Sequence, residues 1–337
     1  MTHRLPPART LLAPLTLAVS IAACGDDDDG ALLSQTEETV AVANRAAGSV
    51  TFVDAATAEV EGTLAIEGAE PMYVVYVRAT DRLYVGDRAR DRVLVIDPDT
   101  RTVEMSIAVG DGVFHMWADG RGEQLWVNND VDSTVSVIDL AEARVVETIA
   151  LPLKPHDVFV DEAGTTAYVS VFAGDEAVPD SIFAYSTSTF ARTAAAGVGN
   201  DPHVYHRDNT LYVACQSGTF HLLDGTTLAE RLVLELPGAH GLFPGPDGDR
   251  FYVTDLPGAE FYPVTVDAAP RLGNPLATPF PVPHNVVVNA SGTRAFVTHS
   301  GAAADQVTVY DLAGGSVALL DSLTTGANPF GLAYYQR

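Results

Sequence analysis

From residue 38 onward the chain runs in short stretches of alternating apolar and polar positions, each closed by Gly, Asp, Asn or Pro. Thr134 to Asp139, "TVSVID", is one such stretch, and Gln124 to Thr165 assembles four of them. That segment reads as a short strand (Leu125-Trp-Val), a polar turn, "TVSVID", "VVETIAL", and "HDVFV" ending at a Gly turn. Alternation of period two between turn residues predicts strands, and no stretch carries a 3.6-residue period long enough to predict a helix.

The pattern repeats. A small-aromatic-Val signature places its valine at Val42, Val85, Val127, Val169, Val213, Val253 and Val297, at intervals of 43, 42, 42, 44, 40 and 44. The strand after it recurs as "SVTFVD", "RVLVID", "TVSVID", "SIFAYS", "TFHLLD", "FYPVTV" and "QVTVYD". Four strands in each unit of about 40 residues predict an all-β fold, a seven-bladed β-propeller of four-stranded antiparallel blades. The first unit begins at its second strand, "ETVAVAN" (Glu38 to Asn44), and the chain stops after a lone "NPFGLAYY" (Asn328 to Tyr335). Pairing of these terminal strands would close the ring and leave no exposed edge. One propeller domain is therefore expected over 38–337.

Composition narrows the partners. The 337 residues are 47% hydrophobic and 19% charged, enough for a large core. Lys plus Arg number 19 against 44 acidic residues, a formal charge of −25. Such a surface repels phosphate backbones, which excludes nucleic acid as a partner, and it suits a soluble monomer that draws cations towards itself. Residues 1–23 read as an export signal: Arg4 and Arg9 precede an apolar run, Leu11 to Ala23, too short to span a bilayer. The run ends in "IAAC", Ile21 to Cys24, which resembles the lipobox of bacterial lipoproteins. That resemblance implies cleavage before Cys24, lipidation of its thiol and a membrane anchor, with 24–37 as an acidic flexible tether. Gly25 follows the cysteine, so the aspartate signal for inner-membrane retention is missing; the outer membrane's periplasmic face or the cell surface is favoured. The second cysteine, Cys215, then has no intramolecular partner, and no disulfide framework is expected.

"FYVTD" (Phe251 to Asp255), "TVSVID", "VVETIAL" and "PHDVFV" resemble the YVTN-type propeller repeat of bacterial surface and periplasmic proteins. The resemblance covers 38–337 and implies fold far more than function. The family includes binders, scaffolds, and relatives of lactonases and of copper reductases.

Histidines mark one phase of the repeat. Counting back from each signature valine, the innermost strand starts at Met72, His115, His156, His203, His240 and His284, with Phe330 in the closing strand. His156, His240 and His284 stand 13 residues before their valines, His115 stands 12 before and His203 stands 10 before. These five imidazoles are expected to ring one mouth of the central channel. Two residues past the valines stand Asn44, Asp87, Asn129, Val171, Cys215, Asp255 and His299, where the next strand returns to that face. Imidazole, carboxylate and thiolate converging from several strands form a ligand set for zinc or copper. The expected core is His240, Asp255, His284 and His299; His156 and His203 follow, with His115, His206 and Cys215 on the same rim. A histidine at such a turn also serves simply to cap a backbone carbonyl, and Cys215 also serves as a small buried apolar residue.

Three functions remain open on sequence. One is a metal-binding lipoprotein, similar to periplasmic zinc-chaperone propellers, whose partner would be an envelope protein or a component of a metal transporter. This chain lacks their histidine-rich flexible segment. Another is an enzyme: a lactonase-like hydrolase with Asp255, His240 and Asn129 as acid and base, or a copper-dependent reductase. "KPHD" (Lys154 to Asp157) resembles motifs of nitrous oxide reductase, although a paired His-His and an electron-entry domain are missing. The third is a scaffold whose loops bind protein or glycan without metal. "GVGND" (Gly197 to Asp201) lacks the Lys-Ser/Thr of a phosphate loop, and no G-x-S-x-G elbow occurs, so no nucleotide or organic cofactor is expected.

Overall fold

The computed structural model describes residues 37–175 and 177–337, so the signal segment, Cys24 and the tether up to residue 36 lie outside the described residues. Seven antiparallel sheets follow one another as the repeat predicts. Their innermost strands are Pro329–Gln336 (blade 1), Pro71–Val77 (2), Val113–Ala118 (3), Lys154–Val160 (4), Pro202–Arg207 (5), Ala239–Pro244 (6) and Pro283–Val288 (7). Each packs against the innermost strand of the next blade, and blade 7 packs against blade 1. The ring closes as expected: Glu38–Asn44 pairs with Pro329–Gln336 through Thr39 opposite Tyr335, Ala41 opposite Ala333 and Val42 opposite Leu332. Blade 6 departs slightly, its outer strand broken into Arg271–Leu272 and Leu276–Ala277. Two single 3-10 turns interrupt the strands, and there is no α-helix among the described residues.

The middle strands are buried on both faces because each blade is sandwiched between two others. Thr134–Asp139 is covered through all four central positions, whereas the outer strand Glu59–Ala65 lies half or fully exposed. Phe52, Trp126, Phe220, Phe251, Phe261 and Phe296 fill the spaces between blades and are fully buried. Apolar burial on this scale, at about 25 cal/mol per Å², is the main force holding the ring.

The innermost strands share a device that decides where the histidines go. In blades 2, 3, 4, 6 and 7 the strand opens with a bulge, in which two residues lie opposite one on the neighbouring strand. The pairs in the bulges are Met72-Tyr73, Phe114-His115, His156-Asp157, His240-Gly241 and His284-Asn285, and blade 1 has Phe330-Gly331 at the same shift. Blade 5 has no bulge, and His203 sits there alone opposite Ala214. Proline precedes the bulge in blades 1, 2, 4 and 7, where its missing N–H costs nothing because the strand is an inner edge.

In blades 4, 6 and 7 the residue after the signature valine locks the bulge. Ser170 Oγ accepts the N–H of Asp157 at 2.8 Å, Thr254 Oγ1 that of Gly241 at 2.9 Å, and Thr298 Oγ1 that of Asn285 at 3.1 Å. Thr254 also donates to the carbonyl of His284 at 2.8 Å, and Thr298 to that of Phe330 at 2.9 Å, so each hydroxyl ties its blade to the next. Gly241 is required by this packing: a Cβ there would lie 2.2 Å from the carbonyl oxygen of His284.

Candidate functional site

The bulges gather five imidazoles into one buried layer. His115, His156, His203, His240 and His284 are each 2–6% exposed. Ring centroids lie 5.1 Å apart for His115 and His156, 4.5 Å for His156 and His203, 3.9 Å for His203 and His240, and 4.7 Å for His240 and His284. They do not stand on an open mouth, as the sequence suggested. Phe172 lies 4.6 Å and Phe114 5.5 Å from His156, and Phe330 lies 4.1 Å from His284, so aromatic rings cover the layer. Arg88 and Arg45 sit over Phe114 and Phe330 at 5.8 and 5.6 Å, completing the cover.

Two carboxylates orient the ring. Asp157, in the second bulge position of blade 4, takes the N–H groups of Val158 and Val204 at 2.8 Å each. Its oxygens face Nδ1 of His115 at 2.7 Å and Nδ1 of His203 at 3.6 Å. This leaves Nε2 of His115 and of His203 buried without a protein partner. The pattern of a carboxylate on one ring nitrogen and a free lone pair on the other is that of metal-ligating histidines. Asp201 precedes blade 5 in a left-handed conformation, φ 55°, and turns its carboxylate over the layer. It stands 3.2 Å from Nδ1 of His156, without hydrogen-bond alignment, and 3.8 Å from Nδ1 of His240. Both ring nitrogens of His240 are buried without a protein partner. Asn285 Nδ2 completes the layer, 2.7 Å from Nδ1 of His284 and 3.0 Å from both Tyr73 Oη and the carbonyl of Phe330.

Burial fixes the protonation. It lowers the pKa of His115 despite the opposing pull of Asp157, and it lowers His156, His240 and His284 well below the ordinary 6.5, with help from neighbouring imidazoles. These rings are neutral at neutral pH and offer lone pairs. Burial opposes the charge of Asp157 too, but His115 and His203, by charge and hydrogen bond, hold its carboxyl well below the usual range. The stable state is therefore an ionised Asp157 accepting Nδ1–H of a neutral His115. Burial raises the carboxyl of Asp201, against the pull of His203.

Ligand atoms of His115, His156 and His203 all lie within 4.8 Å of one another, and a second set, Asp201, His203 and His240, meets the same distance and shares His203. Three imidazoles with one coordination position left open is the donor set of catalytic zinc. On one side of them opens a cavity of about 970 Å³ running along the channel. Tyr73, His115, Asp157, His203 and Asn285 line its floor, while His156, His240 and His284 lie behind.

The remaining residues singled out in the sequence are engaged elsewhere. His299 sits opposite Pro283, one step before the bulge, and is held within its own blade by Pro281 O at 3.0 Å and Thr308 Oγ1 at 2.9 Å. Asp255 pairs with Ala239 and accepts the N–H of Gly258 at 2.7 Å, serving a turn. Cys215 is fully buried opposite Pro202, and burial pushes its thiol up to about 12, which keeps it protonated. His206 stacks on Tyr168 at 5.1 Å along the cavity wall, away from the layer. Asn129 is bound to Thr134 and Ser136 at 3.0 and 2.9 Å. Asp157, Asp201, Tyr73 and Asn285 were missed, although each stands within two residues of a counted histidine or at its phase.

No family model matches the chain, and no curated protein matches it. Solved structures do. A Bacteroides fragilis protein described as a 6-phosphogluconolactonase shares 15% identity over 90% of this chain and 99% of its own, with a TM-score of 0.74. The Pseudomonas aeruginosa periplasmic gluconolactonase shares 17% identity, covers 88% of this chain and 98% of its own, and has a TM-score of 0.72. A dihydro-heme d1 dehydrogenase shares 14%, covers 88% of this chain and 74% of its own, and scores 0.62. At these identities the likeness is one of fold. The comparisons agree with the all-β propeller read from the repeat.

The buried imidazoles predict a pH response in metal-free protein. Their pKa values are lower folded than unfolded, so protons bind the unfolded chain first. The stability they allow is complete above the unfolded value of 6.5 and is lost as pH falls below it, by up to about 1.4 kcal/mol per pH unit for each group. Asp157, whose unfolded value is 3.8, acts only at lower pH. Urea unfolding with chelator, between about pH 7 and pH 5, should show this slope, and His240→Leu with His284→Leu should flatten it. An unchanged slope in the double variant would contradict neutral burial of those rings.

Proposed function

We propose that this chain is an exported propeller protein that binds a transition metal, zinc or copper, on His115, His156 and His203. The observation that carries the reading is that His115, His156 and His203 bring ligand atoms within 4.8 Å of one another, and that each ring also holds a buried nitrogen without a protein partner, Nε2 of His115, Nδ1 of His156 and Nε2 of His203. Leaving a buried polar atom unpaired costs about 1–3 kcal/mol, and a bound cation removes that cost at all three. Asp157 contributes a negative charge and, 2.7 Å from Nδ1 of His115, fixes the tautomer of that ring. The surface charge of −25 raises the local concentration of cations.

A hydrolytic use of the centre is the second reading, supported by the cavity that reaches the open side of the histidine layer and by the two structures described as lactonases. A bound metal of this kind polarises a carbonyl and makes water nucleophilic near neutral pH. The chain's own residues would then act as follows. Asp157 keeps His115 and His203 from rotating, Tyr73 and Asn285 close the floor, and the walls exclude bulk water from a substrate carbonyl. The acid and base roles first assigned to Asp255 and Asn129 have no place here, because neither reaches the cavity floor. A metal-free scaffold would leave the unpaired nitrogens without a purpose.

Export and a lipid anchor at Cys24 are part of the proposal and rest on the "IAAC" sequence. Lipid labelling of the expressed protein should depend on Cys24, and labelling that persists in Cys24→Ala would reject the anchor.

Elemental analysis checks the metal. Zinc-loaded, desalted protein should carry about one equivalent, falling below about 0.2 in His115→Ala with His203→Ala. His299→Ala and Asp255→Asn should leave the content unchanged. Loss of metal in those two variants, with retention in the His115 and His203 variant, would move the site to the other rim residues. Lactone and ester turnover that chelation abolishes and zinc restores would support the hydrolytic reading; turnover indifferent to chelation would reject it.

A further inference from the structure

Above the histidine floor the channel wall changes character. Two residues further along the seven inner strands stand Val75, Trp117, Phe159, Tyr205, Phe243, Val287 and Ala333, all lining the cavity. Four of them form a continuous aromatic arc across blades 3 to 6. Trp117 stacks on Phe159 with centroids 4.6 Å apart, Phe159 meets Tyr205 at 4.6 Å, and Tyr205 meets Phe243 edge-on at 5.8 Å. Phe159 is buried, whereas Trp117, Tyr205 and Phe243 are only partly covered and leave ring surface facing the cavity.

Polar groups at this level are few. Beyond the arc, Asp119 accepts the N–H groups of Glu123 and Gln124, and Asp161 accepts the N–H and hydroxyl of Thr165. Arg207 is bound to the carbonyls of Gly245 and Pro246 and to Asp208. Asp119, Asp161 and Arg207 are thus engaged beyond the arc, whereas Arg78, Glu162, Asp208, His206 and Tyr334 also line the cavity outside the arc itself. A polyhydroxylated ring lying in the arc itself would surrender hydration against mostly apolar ring faces, which opposes binding there. A flat apolar ring would exchange water for stacking contact.

We infer that the channel selects lactones or esters carrying an aromatic or apolar ring, which stacks in the Trp117–Phe159–Tyr205–Phe243 arc and points its carbonyl at the histidine floor, and that it discriminates against sugar lactones. This deepens the hydrolytic reading and relies on it for the direction of the carbonyl. Ring recognition belongs to the arc and does not need the metal, so binding to metal-free protein separates the two.

The two tryptophans make the test direct. Trp117 lines the cavity, while Trp126 is fully buried between blades with its indole N–H on Gln124 at 3.0 Å. Tryptophan emission of chelator-treated protein is titrated with dihydrocoumarin and, separately, with glucono-δ-lactone. Saturable quenching by dihydrocoumarin is expected, with the sugar lactone binding at least about tenfold more weakly. Trp117→Phe should abolish the quench while calorimetry still detects dihydrocoumarin. Phe243→Ala and Tyr205→Leu, each with an unchanged melting temperature, should weaken it about tenfold. Tyr205→Leu removes less side-chain volume than Phe243→Ala, which gives a second, milder variant of the arc. Equal or tighter binding of glucono-δ-lactone, no saturable quench with dihydrocoumarin, or full affinity in the folded arc variants would overturn the inference. Quenching in metal-free protein alongside absent metal binding would leave the arc standing and remove only the centre beneath it.

Discussion

Four of the five imidazoles that share one layer in this molecule are placed there by strands that set two residues opposite one at their start, and His203 joins them from the unbulged strand of blade 5. A regular strand would send neighbouring side chains to opposite sides. The bulge instead keeps both residues of a pair near the axis, so blade 4 supplies His156 and the carboxylate that orients His115 and His203. In blades 4, 6 and 7 the Ser or Thr after the signature valine satisfies the bulge N–H that the ladder leaves over, and in blades 6 and 7 it reaches across to the next blade. The features that make the ring rigid therefore also set the imidazole positions, to the tolerance that a metal centre requires.

Electrostatics follow from that geometry. The cover of Phe114, Phe172 and Phe330 removes water from His156 and His284, so these rings remain neutral and keep their lone pairs. Asp157 stays charged in the same surroundings because two backbone N–H groups and two imidazoles face it. One fixed anion beside several neutral donors favours a cation in the space between them. The cavity then gives that space a single direction of approach, past an apolar arc that has little to offer a polar molecule.

Fold was legible in the sequence because a blade is a local object, and its valine recurs every 40 to 44 residues. The histidine layer was legible for the same reason. What spacing could not show was the register inside the layer. His115 stands 12 residues before its valine because it fills the second bulge position, the place of Asp157 rather than of His156. His203 stands 10 before because blade 5 lacks the bulge and its hairpin is two residues shorter. His299 and Asp255 come back to the rim as expected, but opposite Pro283 and Ala239, one step short of the bulge, where their hydrogen bonds stay within the blade. Asp157 and Asn285 were overlooked because alternation puts the neighbour of an inward residue outside, a rule that a bulge suspends.

X-ray absorption at the metal edge tests the centre most directly, since it reads the donor atoms themselves. With zinc bound, the first shell should contain three imidazole nitrogens at about 2.0–2.1 Å, with one oxygen donor and the outer-shell scattering of histidine rings. His203→Ala should remove one of the three. A shell containing sulfur, a shell of oxygen alone, or a histidine count unchanged by His203→Ala would contradict a centre built on His115, His156 and His203.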